Sequence, residues 1–132
     1  MSGGASFPAG RASLVVEEGD TALSLGSGEL PVLGTPRLVA LVEQAAVAAT
    51  EAVLEPGQTS VGTLVELEHL APTRVGATVE AVAELVRVDG RTLEFAVAAT
   101  CGGAEIAHGR HHRALVNRER FLARPELASA GE

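Results

Sequence analysis

The chain's clearest hydrophobic rhythm runs from residue 35 to residue 54, where Leu38, Val42, Ala45, Ala46, Ala49 and Val53 share one side of a helical wheel. Thr35-Pro36 puts a cap hydroxyl and a first-turn proline at the start of this stretch, and Glu55-Pro56-Gly57 stops it. The pattern predicts a helix of five turns with one buried face, and its small alanines let it lie close to whatever it covers. After Gly57 the period drops to two. From Ser60 to Leu70, Val61, Thr63, Val65, Leu67 and His69 alternate with a face that carries Glu66 and Glu68. Ala77–Val88 reads as a second strand. Asp89-Gly90 turns it into Arg91–Thr100, where Leu93, Phe95 and Val97 alternate, and Gly102-Gly103 turns that into Ala104–Val116.

Ahead of the helix, short apolar runs at Ala12–Val16 and Thr21–Leu25 flank Glu17-Glu18-Gly19-Asp20 and read as a strand, a turn and a returning strand; residues 26–34 read as loop. One long helix followed by an antiparallel meander predicts an α+β layer, a curved sheet wrapped around one helix. Residues 12–124 form the expected domain, with flexible tails at 1–11 and 125–132. An open sheet edge in such a layer is commonly covered by pairing with a second copy.

Composition sharpens this picture. The 132 residues include 23 Ala, 16 Val and 16 Leu but three Phe and no Trp or Tyr, so the core is aliphatic and thin, with Phe95 its one central aromatic. Ten Arg, no Lys and 17 acidic residues give a net charge of −7. That balance, with no aromatics to stack bases, argues against nucleic-acid binding. The single Cys101 rules out an intrachain disulfide and a cysteine zinc motif. The amino terminus lacks the basic start and apolar run of a signal peptide, and no stretch approaches the roughly 20 apolar residues of a membrane span. A cytoplasmic protein is the expectation.

Four histidines invite chemistry. The alternation puts His69 on the apolar face that meets the helix, where a polar ring must find a partner. It is there either as a satisfied structural group or as a general base near neutral pH. Glu43 stands at the margin of the helix's buried stripe, and is the only acidic residue between Thr35 and Thr50. Thr35 caps a helix, and the same hydroxyl stands where backbone N–H groups favour a developing negative charge. His108, His111 and His112 would share a face on a helix, but on a strand His108 and His112 are about 13 Å apart and His111 points the other way, so no metal site is expected. No nucleophile elbow or phosphate loop is present, and Gly26 and Gly28 precede no βαβ unit.

At these residues the sequence resembles the hot-dog-fold thioesterases of the fluoroacetyl-CoA thioesterase type. In that family a helix-capping Thr, a Glu eight residues on and a His 26 residues beyond it form the catalytic set; Thr35, Glu43 and His69 match in type and in both spacings. The similarity runs from about Gly34 to Val116, through Glu55-Pro56-Gly57, Val61-Gly62-Thr63, Val88-Asp89-Gly90-Arg91 and Gly109-x-His111-x-Arg113. It implies a five-stranded antiparallel sheet around one central helix, an edge-to-edge homodimer with the site near its interface, and hydrolysis of a small acyl-CoA with no cofactor. His69 would deprotonate water or assist breakdown of an acyl intermediate on Glu43, and Thr35 would hold the carboxylate or the carbonyl oxygen. Whether Glu43 attacks or orients is open. Gly62 and Arg113 are the further substrate-binding candidates, Gly62 either as an N–H donor or as a close-approach glycine and Arg113 as partner of a carboxylate. The family's phenylalanine lid before Thr35 is absent, with Gly26 and Glu29 at its positions. The rival readings are a non-catalytic acyl-CoA-binding or sensor protein and a hot-dog dehydratase.

Overall fold

The computed structural model describes residues 7–128. The expected tails at 1–6 and 129–132 lie outside them. Five strands, β1 (Ala9–Val15), β2 (Gln58–His69), β3 (Thr78–Asp89), β4 (Thr92–Cys101) and β5 (Ala104–Asn117), form one antiparallel sheet in the order β1-β3-β4-β5-β2. Helix α2 (Thr35–Thr50) crosses its inner face, after a single turn α1 (Ala22–Leu25), and packs on β1, β2, β3 and β4. Two short helices, α3 (Arg118–Leu122) and α4 (Pro125–Ala128), follow β5. This is the sheet-around-one-helix layer that the periodicity predicts. Among the described residues no helix is long and apolar enough to cross a membrane.

The core joins Leu38, Leu41, Val42, Ala45, Ala46 and Ala49 of α2 to Val79, Ala81, Ala83, Leu93, Phe95 and Val97 of the sheet. Phe95 is fully buried, as the central aromatic should be. Thr50 is buried as well, its hydroxyl satisfied by the Ala46 carbonyl at 2.7 Å. The hairpin at Gly102-Gly103 needs two consecutive left-handed residues, φ 60° and 85°, which glycine adopts without a steric penalty.

Five expectations need correction. The returning strand at Thr21–Leu25 is instead a 3-10 turn at Glu18–Asp20 followed by α1, because Thr21 caps α1 by accepting from the Ser24 N–H at 3.1 Å. The amino-terminal tail is shorter than 1–11, since β1 begins at Ala9; Gly10 is buried under α2, where a Cβ would collide with the Ala45 carbonyl and the Ala49 nitrogen. Proximity of the helix therefore orders this glycine. The cap of α2 is Gly34, and Thr35 is its first helical residue; the helix ends at Thr50 with a 3-10 turn at Glu51–Val53. Finally, β2 carries a bulge between Gly62 and Leu64. The extra residue, Thr63, reverses the alternation, so Ser60 and Gly62, and not Val61 and Thr63, share the inner side with Val65, Leu67 and His69. At the carboxyl end, Pro125–Ala128 of the expected tail is helical.

Candidate active site

Thr35 and His69 meet at the start of α2 and the end of β2, where the threonine hydroxyl and His69 Nδ1 are 2.8 Å apart. The hydroxyl is free for this bond because Gly34 occupies the cap. Both residues line a pocket of about 300 Å³ with Ala22, Val32, Leu33 and Leu70. The other ring nitrogen, Nε2, is buried and makes no hydrogen bond. Burial holds His69 below the ordinary histidine value, against an opposing pull from the Ala71 backbone, so the imidazole is biased toward its neutral, proton-accepting form.

Glu43 lies elsewhere. Its Oε2 is 3.6 Å from Arg113 Nη1 and would be 2.7 Å from a side chain at Gly62, so the missing side chain of that glycine makes room for the carboxylate. Arg113 is buried and held on three sides: Nε donates to Ser60 Oγ at 2.8 Å, Nη2 to the Ser60 carbonyl at 3.2 Å, and Nη1 to His111 Nε2 at 3.1 Å. His111 can accept there because its Nδ1–H donates to the Leu64 carbonyl at 2.7 Å, which fixes the neutral tautomer. Burial first, and then neighbouring Arg113, keep His111 below the usual range; burial likewise lowers Arg113, with Glu43 countering it.

The chain thus holds two clusters. Thr35 and Glu43 are eight residues apart on one helix, about 12 Å of axial rise. Gly62 and His69 are seven residues apart on β2, about 20 Å along a strand. Within one chain Glu43 does not reach His69. His111 and Ser60 were not read from the sequence as parts of a site, although Gly109-x-His111-x-Arg113 places alternate residues on one face and so carried the signal. The neighbouring His108 faces outward to Glu68 at 3.1 Å.

Residues 16–119 match the family model described as fluoroacetyl-CoA-specific thioesterase. The chain belongs to this family. It is 43% identical over 93 residues to the fluoroacetyl-CoA thioesterase of Streptantibioticus cattleyicolor, covering 70% of this chain and 67% of that protein. The solved structure of the fluoroacetyl-CoA thioesterase FlK superposes with a TM-score of 0.86 at 34% identity, over 99% of this chain and 100% of the other. A variant of that enzyme solved with fluoroacetate and CoA gives 0.81 at 35% identity, over 88% and 98%. The family's hot-dog fold is the one described above.

Proposed function

We propose that this protein hydrolyses short-chain acyl-CoA thioesters, in the cytoplasm, as a homodimer in which two subunits build each site. The observation that carries this reading is the Thr35–His69 pair, whose unpartnered Nε2 is buried at a pocket able to admit a small acyl group. Membership of a family of thioesterases supports the same chemistry. His69 takes a proton from water as the oxygen attacks the thioester carbonyl; the carbon–sulfur bond then breaks, and the proton passes to the departing thiolate. Thr35, fixed against the ring, keeps the imidazole oriented.

The second cluster joins the first across an edge. Strand β2 lies at the edge of the sheet, and unpaired edges are covered in stable proteins. Antiparallel partners number in opposite directions, so a twofold axis beside Val65 and Glu66 sets Gly62 of one copy opposite His69 of the other. The partner's Glu43, beside that subunit's Gly62 and Arg113, then faces Thr35 and His69. There it orients the attacking water with its carboxylate. Arg113, anchored by His111 and Ser60, acts as a positioning residue for Glu43.

Release of free thiol from a panel of short acyl-CoA thioesters tests the proposal. Turnover that falls at least about 100-fold in His69→Ala, with the fold retained, is the expected result. A folded protein inactive on every member of the panel would leave a non-catalytic acyl-CoA-binding protein as the better account.

A further inference from the structure

We propose that an arginine-rich corner at Arg91, Arg118 and Arg120 binds the phosphorylated adenosine end of a coenzyme A thioester, an inference that rests on the thioesterase reading above. The corner stands out because the chain is acidic, with a net charge of −7. Arg37, Arg87, Arg110, Arg113 and Arg124 each pair with a carboxylate. Among the described residues the other five have no ion-pair partner, and three of them stand here, all exposed. Arg11 and Arg74 lie apart.

The cations are held by backbone, not left on a loose tail. The Arg118 N–H donates to the Gly57 carbonyl at 2.8 Å, the Arg120 N–H to the Asn117 side chain at 2.9 Å, and the Arg91 carbonyl accepts from the Leu115 N–H at 2.9 Å. Arg91 and Arg120 both line two adjoining clefts of about 250 and 290 Å³, which share Val116 and Asn117. Arg118 lines a third cleft that also includes Asn117. Two carboxylates belong to the set, Glu55 on one wall of the second cleft and Glu119 in the third. Arg91 and Arg120 share two clefts with no ion-pair partner, and each guanidinium presents a planar fork suited to phosphate oxygens; an anion of two or more phosphates engages these forks together and extends to Arg118.

The position fits a long substrate. Asn117 pairs with Gln58, four residues from Gly62 along β2, or about 13 Å. In the twofold arrangement Gly62 faces the partner's His69, so the corner lies about 13 Å along the strand from the reacting carbonyl. A pantetheine arm leading away from the site reaches it.

The test compares acetyl-CoA with the acetyl thioester of N-acetylcysteamine, which keeps the reacting bond and lacks the nucleotide. Arg91→Ala/Arg120→Ala should raise KM for acetyl-CoA at least about tenfold, the loss expected for charge-assisted contacts, and move kcat/KM for the truncated thioester less than about twofold. Arg11→Ala, on the opposite edge strand, should alter neither. Equal effects on both thioesters, or no effect on either, would overturn the inference. Should the wild-type protein turn over neither substrate, the thioesterase reading fails while calorimetry with adenosine 3′,5′-bisphosphate still decides this one. Binding weakened at least about tenfold in the double variant supports the corner, and affinity that is unchanged, absent, or matched by inorganic tripolyphosphate overturns it.

Discussion

Mixing two inactive variants tests whether one chain or two build each site. Glu43→Gln leaves Thr35 and His69 intact, and His69→Ala leaves Glu43 intact. With about 12 Å of helix between Thr35 and Glu43 and about 20 Å of strand between Gly62 and His69, no rotamer of either side chain closes the gap inside one subunit. Loss of a general base or of its orienting carboxylate costs about 100-fold, so each variant alone should retain roughly 1% of wild-type turnover. Random reassembly makes about half of the dimers mixed, and a twofold composite site restores one of the two sites in each of those. The mixture should therefore recover about a quarter of wild-type activity per subunit, far above the mean of its parents. Thiol release from co-refolded, differently tagged subunits measures this directly, and purification through both tags isolates the mixed dimer, whose activity should approach half that of wild type. Recovery no greater than the parental mean, from a preparation in which mixed dimers are present, would refute the shared site.

The remaining predictions test other parts of the geometry. Gly62→Ala places a methyl 2.7 Å from Glu43 Oε2 and should displace the carboxylate, lowering kcat at least about tenfold with a much smaller change in Tm; unaltered kcat would separate Glu43 from the chemistry. Gly10→Ala meets backbone atoms of α2 that cannot rotate away and should cost about 1–3 kcal/mol, seen as a drop in Tm of several degrees by calorimetry. Burial holds His69 and His111 below 6.5 in the folded chain, so as pH falls through that value the unfolded chain takes up protons first and stability is lost. Tm should decline from about pH 7 to pH 5, and a flat or rising Tm would contradict the shifts. Because Gly26 has no side chain and Glu29 is exposed, preference for fluoroacetyl-CoA over acetyl-CoA should stay below about 100-fold in kcat/KM, and a preference of several thousandfold would point to the exposed Leu30 as a substitute lid.

The layer architecture was legible because its two periods are uninterrupted where they matter. Alanines at 45, 46 and 49 on one stripe described a helix that packs closely, and the Asp89-Gly90 and Gly102-Gly103 turns marked the two ends of β4. The amino-terminal third was harder. In sequence a capping threonine reads as the start of a strand and a buried glycine as part of a tail, since what orders them is a hydrogen bond from Ser24 or a contact with α2, and neither leaves a mark on the hydrophobic period. Gly10 also shows how a composition rich in glycine misleads: the residue is small because a helix lies on it, not because the chain there is free.

The candidate site was legible as residue types and spacings, and illegible as geometry. Spacing along a chain records which side chains recur, and says nothing about whether they meet within one copy. Thr35 and His69 do meet, whereas Glu43 turns to Arg113 and Gly62. The bulge at Thr63 explains why the second cluster stayed hidden, because strict alternation from His69 assigns Val61 and Thr63 to the inner face and sends Gly62 and Ser60 outward. One inserted residue exchanges those faces. It puts a hydroxyl beneath Arg113 and an empty space beside Glu43, and without it the bulk of Val61 would fall on the side where the carboxylate now sits. The bulge is therefore as much a part of the candidate site as the three residues that the spacing singled out.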